Sequence, residues 1–266
     1  MYFQKIKPLI TICLLFLGLT IYIIFIGTIF RVWLSQFNLV TRTILSQAIS
    51  FGIPFLLYII IKKKNLSKTL SLKPLDIKNF LLIVAITFAS MPIAMFISSL
   101  SSLVAPNVAS DILLPAVDTY QLVWLIIAIG VTPAIFEEII FRGMFYKELE
   151  PLPDFASAVI GGFLFGIIHF NFQQFSYAFA LGILFAYFVH YTKSIWAPIL
   201  SHFLFNSLNV VMIYLLSNMM TDHFEYIDEM PEPMSPIGTV ITMGIFSLIM
   251  LPMFIFLMRT LKQRNQ

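Results

Sequence analysis

Seven stretches of this chain run without a single Asp, Glu, Lys or Arg: residues 8–30, 43–61, 79–110, 119–136, 155–192, 194–221 and 233–258. A hydrocarbon core of ~30 Å is crossed by about 20 apolar residues of helix, because in lipid each backbone polar group must be bonded within its own segment. No other feature restricts the fold as strongly. As one helix, the stretch 155–192 would run ~57 Å at ~1.5 Å per residue, so it must turn. The run Asn171, Phe172, Gln173, Gln174 marks the turn. The expected fold is an all-α polytopic membrane helix bundle of about eight transmembrane helices. They lie near 8–30, 39–61, 79–104, 120–146, 155–170, 175–192, 195–217 and 237–258, in a single membrane domain over 1–266.

Composition agrees. Only 11% of residues are charged and 59% are hydrophobic, against roughly 25% charged in a soluble domain. That excludes a soluble globular enzyme, a disordered chain and a nucleic-acid binder, which all need more polar surface. The single cysteine, Cys13, excludes an intramolecular disulfide and a cysteine-based zinc site. The first span, preceded by Lys5 and Lys7, is too long for a cleavable h-region and reads as a retained signal anchor. With the N-terminus inside, 14 of the 16 basic residues fall on the cytoplasmic side, leaving only Arg31 and Arg42 outside. Both termini are therefore expected in the cytoplasm, with the acidic stretch 222–232 as an external connector. Trp33, Trp124 and Trp196 read as interfacial residues at span ends.

Ionisable residues in a membrane helix are costly, roughly 2.5–3.5 kcal/mol for a central Asp, Lys or Arg, and usually have a partner or a task. Almost all of that polarity sits in three helices. Glu137, Glu138 and Arg142 lie on the fourth, Phe165 and His169 on the fifth, and His202 and Asn206 on the seventh. Glu138 and Arg142 are spaced i,i+4 and can pair on one face. Glu137 is turned ~100° away and has no such intrahelical partner. His202 and Asn206 share a face and can both donate hydrogen bonds. Depth is a check: measured along the helices, Glu137 and His202 lie ~16 Å and ~14 Å from the cytoplasmic edge, and His169 ~22 Å. His169 therefore needs tilt or a later start to its helix. Gly162 and Gly166 permit close approach of another helix, and Pro133 frees a backbone group near the site. There is no HExxH, GxSxG or phosphate loop. His190 and His223 read as interfacial and solvated.

The three motifs, Glu-Glu-x-x-x-Arg, Phe-x-x-x-His and His-x-x-x-Asn, resemble those of the CAAX-protease and bacteriocin-processing (Abi) family, over roughly residues 120–215. The resemblance implies intramembrane endopeptidase activity on a membrane protein or prenyl-CAAX-like peptide. It implies that Glu137 and His169 activate water, that His202 and Asn206 stabilise the oxyanion, and that Glu138 and Arg142 give structural support. The residue chemistry is compatible: hydrolysis needs a base for water and donors for the developing charge. Zinc held by Glu137, His169 and His202 would be an alternative way to activate water. Asn206 is a poor zinc ligand and a good donor, which favours the metal-independent route. Rival readings are a proton-coupled transporter, which would predict inverted repeats that the sequence does not contain, and a non-catalytic bacteriocin-immunity or scaffold protein. The expected location is multi-pass in a bacterial plasma membrane, with the bilayer and a peptide substrate as partners and no nucleic acid.

Overall fold

The computed structural model describes residues 2–105, 108–224 and 234–266. Among them are ten helices and no strand: α1 (Tyr2–Leu34), α2 (Leu39–Ile61), α3 (Leu66–Leu70), α4 (Ile77–Ser102), α5 (Val108–Thr119), α6 (Leu122–Leu149), α7 (Asp154–Ile167), α8 (Phe172–Thr192), α9 (Trp196–Phe224) and α10 (Pro236–Asn265). Polar caps mark where helices begin. The side chains of Asn38, Asn65, Asp76, Asn171 and Ser235 each accept a backbone N–H from the first turn, satisfying donors that a helix start leaves unpaired.

Seven of these helices are long and apolar enough to cross a membrane, which makes the chain an all-α polytopic bundle. The eighth expected span, α7, has only 14 residues, a rise of ~21 Å that falls short of a ~30 Å core. The chain turns at Phe170, whose φ is +51°, and Asn171 caps α8. Of the polar run expected to form the break, Gln173 and Gln174 lie inside α8 instead. Gln173 is buried and donates to Ser98 Oγ at 2.5 Å. α7 begins at Asp154, so a late start does not relieve the depth of His169. The segment expected as a connector after α4 contains α5, whose Leu113, Ala116 and Val117 pack on Leu125 and Val210.

The core is aromatic and aliphatic. Phe141 and Phe145 of α6, Phe185 and Phe188 of α8, and Ile83 and Ile86 of α4 are all buried. α7 and α8 form a tight antiparallel pair. A Cβ on Gly182 would stand 2.7 Å from Gly162 Cα, so neither position has room for a side chain. Gly166 faces Phe175 in the same seam. Large apolar side chains such as Leu14, Ile21, Phe25, Ile241, Leu248 and Phe256 are exposed on α1 and α10, surface that suits lipid rather than water. Trp33, Trp124 and Trp196 are exposed at helix ends, as expected.

Loops rich in basic residues meet at one end of the bundle. Lys64 pairs with Glu148 at 3.4 Å, Ser194 Oγ donates to the Lys73 carbonyl at 2.6 Å, and Arg264 pairs with Asp76 at 2.9 Å. His190, expected merely to sit at the interface, pairs with Asp154 at 3.2 Å. Phe16 of α1 meets Phe145 near this end, ring centroids 6.0 Å apart. The expected external loop lies largely outside the described residues.

Candidate active site

α6 is not a uniform helix. π-turns occupy Ile126–Val131 and Ile139–Phe145 on either side of the two glutamates, and such turns recur at functional sites. Pro133 has no N–H to give the carbonyl four residues back, Ile129. Asn206 of α9 supplies the donor instead, its Nδ2 lying 3.0 Å from Ile129 O. The proline thus creates the acceptor that docks the third motif on the first. Asn206 keeps a second amide hydrogen.

Glu138 is fully buried and Arg142 nearly so. Arg142 Nη1 sits 3.1 Å from Glu138 Oε1 and 3.0 Å from Oε2, so the expected i,i+4 pair is present. The guanidinium is satisfied further by donating Nη2 to the Gly182 carbonyl at 3.0 Å. It lies over the Phe165 and Phe185 rings, 4.6 and 5.2 Å from their centroids, a favourable cation–π arrangement. The same Gly182 packs against Gly162 of α7, so one residue of α8 meets both α6 and α7.

Glu138 also holds His202. Their Nδ1–Oε1 separation is 2.8 Å. The spacing of the motifs does not reveal this contact, because it links helices 64 residues apart in sequence. The His202 ring stacks on Phe185 at 5.5 Å and meets Phe165 edge-on at 5.7 Å. A carboxylate acceptor places the proton on Nδ1 and leaves Nε2 outside that bond.

His169 follows the end of α7. Its Nδ1 lies 2.8 Å from the Phe165 carbonyl, four residues earlier. Helix C-termini leave carbonyls without intrahelical donors, and this one is taken by the motif's own histidine. The Phe-x-x-x-His spacing therefore sets both the hydrogen bond and the ring contact at 5.3 Å. Here too the proton belongs on Nδ1. Neither histidine has a hydrogen-bond partner at Nε2 among the described residues.

Glu137 is 7% exposed. It has a partner that the sequence did not suggest: Gln47 of α2 donates Nε2 to its Oε1 at 3.0 Å. Gln47 is a neutral amide inside an uncharged stretch, so a search for ionisable residues passes over it. Among the described residues no hydrogen bond or ion pair joins Glu137 to His169, His202 or Asn206. No three His, Cys, Asp or Glu side chains are grouped to hold a metal ion among the described residues. As placed, Glu137, His169 and His202 do not form such a group.

Residues 119–208 match the family model described as "Type II CAAX prenyl endopeptidase Rce1-like". All seven motif positions, from Glu137 to Asn206, fall inside that stretch. The Bacillus subtilis protein named "Putative membrane peptidase YdiL" is 35% identical over 89 residues, 33% of this chain and 36% of that protein. The chain thus matches about a third of the length of this curated relative. No solved structure matches the chain. The resemblance read from the three motifs is borne out over this stretch.

Proposed function

We propose that this chain is an intramembrane endopeptidase that hydrolyses peptide bonds of membrane-associated substrates by a metal-independent route, with prenyl-CAAX-like peptides as one substrate class. One observation carries the reading. Two histidines, His169 just past the end of α7 and His202 on α9, both commit Nδ1 to a fixed acceptor and leave Nε2 without a hydrogen-bond partner among the described residues. Each Nε2 is thereby left able to exchange a hydrogen bond with a water or a substrate. The likenesses to a prenyl endopeptidase family and to a membrane peptidase support it.

In this mechanism water attacks the substrate carbonyl carbon as its proton passes to Glu137, with His169 Nε2 accepting a hydrogen bond from the same water. The carbonyl π pair moves to oxygen. The resulting oxyanion accepts hydrogen bonds from the second Asn206 amide hydrogen and from His202 Nε2. Because Nδ1–H of His202 is committed to Glu138, Nε2 donates to the oxyanion only when the ring carries both protons. The intermediate then expels the amine: the C–N bond breaks, and the proton on Glu137 goes to the leaving nitrogen. The products are one acid and one amine, and the site returns to its starting state.

The test is hydrolysis of a library of synthetic membrane-embedded peptides by the protein in proteoliposomes, before and after exhaustive chelation. New peptide termini in equal yield in both arms are expected. Loss of cleavage on chelation, restored by zinc, overturns the metal-independent route. Proton flux without new termini would favour the transporter reading.

A further inference from the structure

Glu137 is the acid on which the proposed reaction depends most, and its hydrogen bond comes from outside the three motif helices. Gln47 donates from Nε2 to Glu137 Oε1 at 3.0 Å. Only the amide nitrogen can donate to a carboxylate, so chemistry fixes which way the amide lies. Its carbonyl oxygen is then buried with no hydrogen-bond partner among the described residues. Leaving a buried acceptor unmade costs stability. The side chain bears that cost while keeping its donor on the acid, as expected of a residue held for its effect on Glu137 rather than for packing.

The backbone enforces the contact. A π-turn at Ala48–Gly52 follows Gln47 directly. Gly52 rests against the ring of Phe136, where a Cβ would stand 3.1 Å from Phe136 Cε1. α2 therefore closes on α6 at the residue preceding Glu137. Further along the same helix, Tyr58 donates to Glu148 Oε1 at 2.5 Å, so α2 is tied to α6 at two levels.

We propose that Gln47 is a positioning residue for the water-activating carboxylate. It fixes Oε1, so that Oε2, which takes no hydrogen bond among the described residues, is presented to the reacting water. The proposal rests on the reading of Glu137 as the base.

The experiment compares wild type, Gln47→Met and Glu137→Gln in proteoliposomes, using the library peptide that wild type cuts fastest. Met matches Gln in length, lacks the donor and is apolar. The expected result for Gln47→Met is a kcat lowered roughly tenfold to a hundredfold, with KM within about twofold of wild type and an unchanged or higher Tm. The second readout is infrared, on protein with 13C-labelled glutamate. The carboxylate band absent from Glu137→Gln should shift in Gln47→Met, because losing one hydrogen bond makes the two C–O bonds more alike. Gln47→Leu should repeat both effects. Wild-type kcat in Gln47→Met, or an unmoved band, overturns the proposal. A Glu137→Gln protein as active as wild type overturns instead the reading beneath it, and the band alone then decides whether Gln47 holds the carboxylate.

Discussion

Glu138 meets two basic side chains at once, the Arg142 guanidinium and the His202 ring. Glu138→Gln would leave Arg142 buried without its counter-charge and weaken the acceptor that orients His202. Breaking a buried pair in this way costs roughly 3–5 kcal/mol. We expect Glu138→Gln to lower the Tm in detergent markedly, with activity lost as a consequence, and Glu138→Gln with Arg142→Gln to regain part of the stability. Glu137→Gln should keep the wild-type Tm, because its amide oxygen still accepts from Gln47. If Glu137→Gln is the destabilised variant and Glu138→Gln is as stable as wild type, the two roles are reversed. Most of these residues were legible in the sequence because a charge in lipid stands out. The i,i+4 spacing of Glu138 and Arg142 was enough to pair them. Glu138–His202 and Glu137–Gln47 were not legible: each joins distant helices, and the second involves a neutral amide that costs too little to be conspicuous.

At the scale of elements, the site depends on how closely α7 and α8 cross. A side chain at Gly162 would stand 2.9 Å from both the Ile183 N and the Phe179 O backbone atoms. Gly162→Val must therefore part the helices and draw the Gly182 carbonyl off Arg142. Overpacking of this kind costs about 1–3 kcal/mol, to be read as a lowered Tm and reduced activity with Glu137 intact. An unchanged Tm would mean that the seam is not tight. A second junction joins α4 to α10. The Asp76 carboxyl is held below the usual carboxylate range, first by the Asn79 backbone N–H and then by Arg264. A carboxyl depressed on folding stabilises at pH values above its unfolded value and loses that contribution as pH falls through its folded value. The Tm difference between wild type and Asp76→Asn should thus be present at neutral pH and shrink below about pH 4. A difference independent of pH would contradict the assignment. Long apolar runs revealed the long helices. The shortness of α7 was hidden, because it depends on where Phe170 and Asn171 turn the chain rather than on hydropathy. α5 was hidden for a related reason: it forms by packing on α6 and α9, which no local pattern announces.

The whole molecule gathers its basic loops at one end. The 62–76 connection, the α6–α7 junction, Ser194 and the C-terminal Arg264 touch one another there. The seven long helices alone would put the termini on opposite sides; we expect the short α7, which reverses the chain before α8, to make the count even. Reporter fusions after Lys64 and after Arg259 should therefore agree, and by the bias of basic residues both should report cytoplasm. A fusion within 222–232 should report the exterior. Disagreement between the first two would overturn the arrangement of helices, and agreement on the exterior would invert it. The one-sided placement of lysine and arginine was legible in the sequence; the contacts that bind those loops together were not.

The central claim is that Glu137 activates water for peptide hydrolysis, and it is tested most directly by one ratio of rates. Cleavage of the same membrane-embedded peptide is followed in proteoliposomes holding equal amounts of folded wild type and Glu137→Gln. Loss of a general base costs ~10²–10⁴-fold, so the variant should be slower by at least a hundredfold at an unchanged Tm. Equal rates in the two proteins would contradict the account.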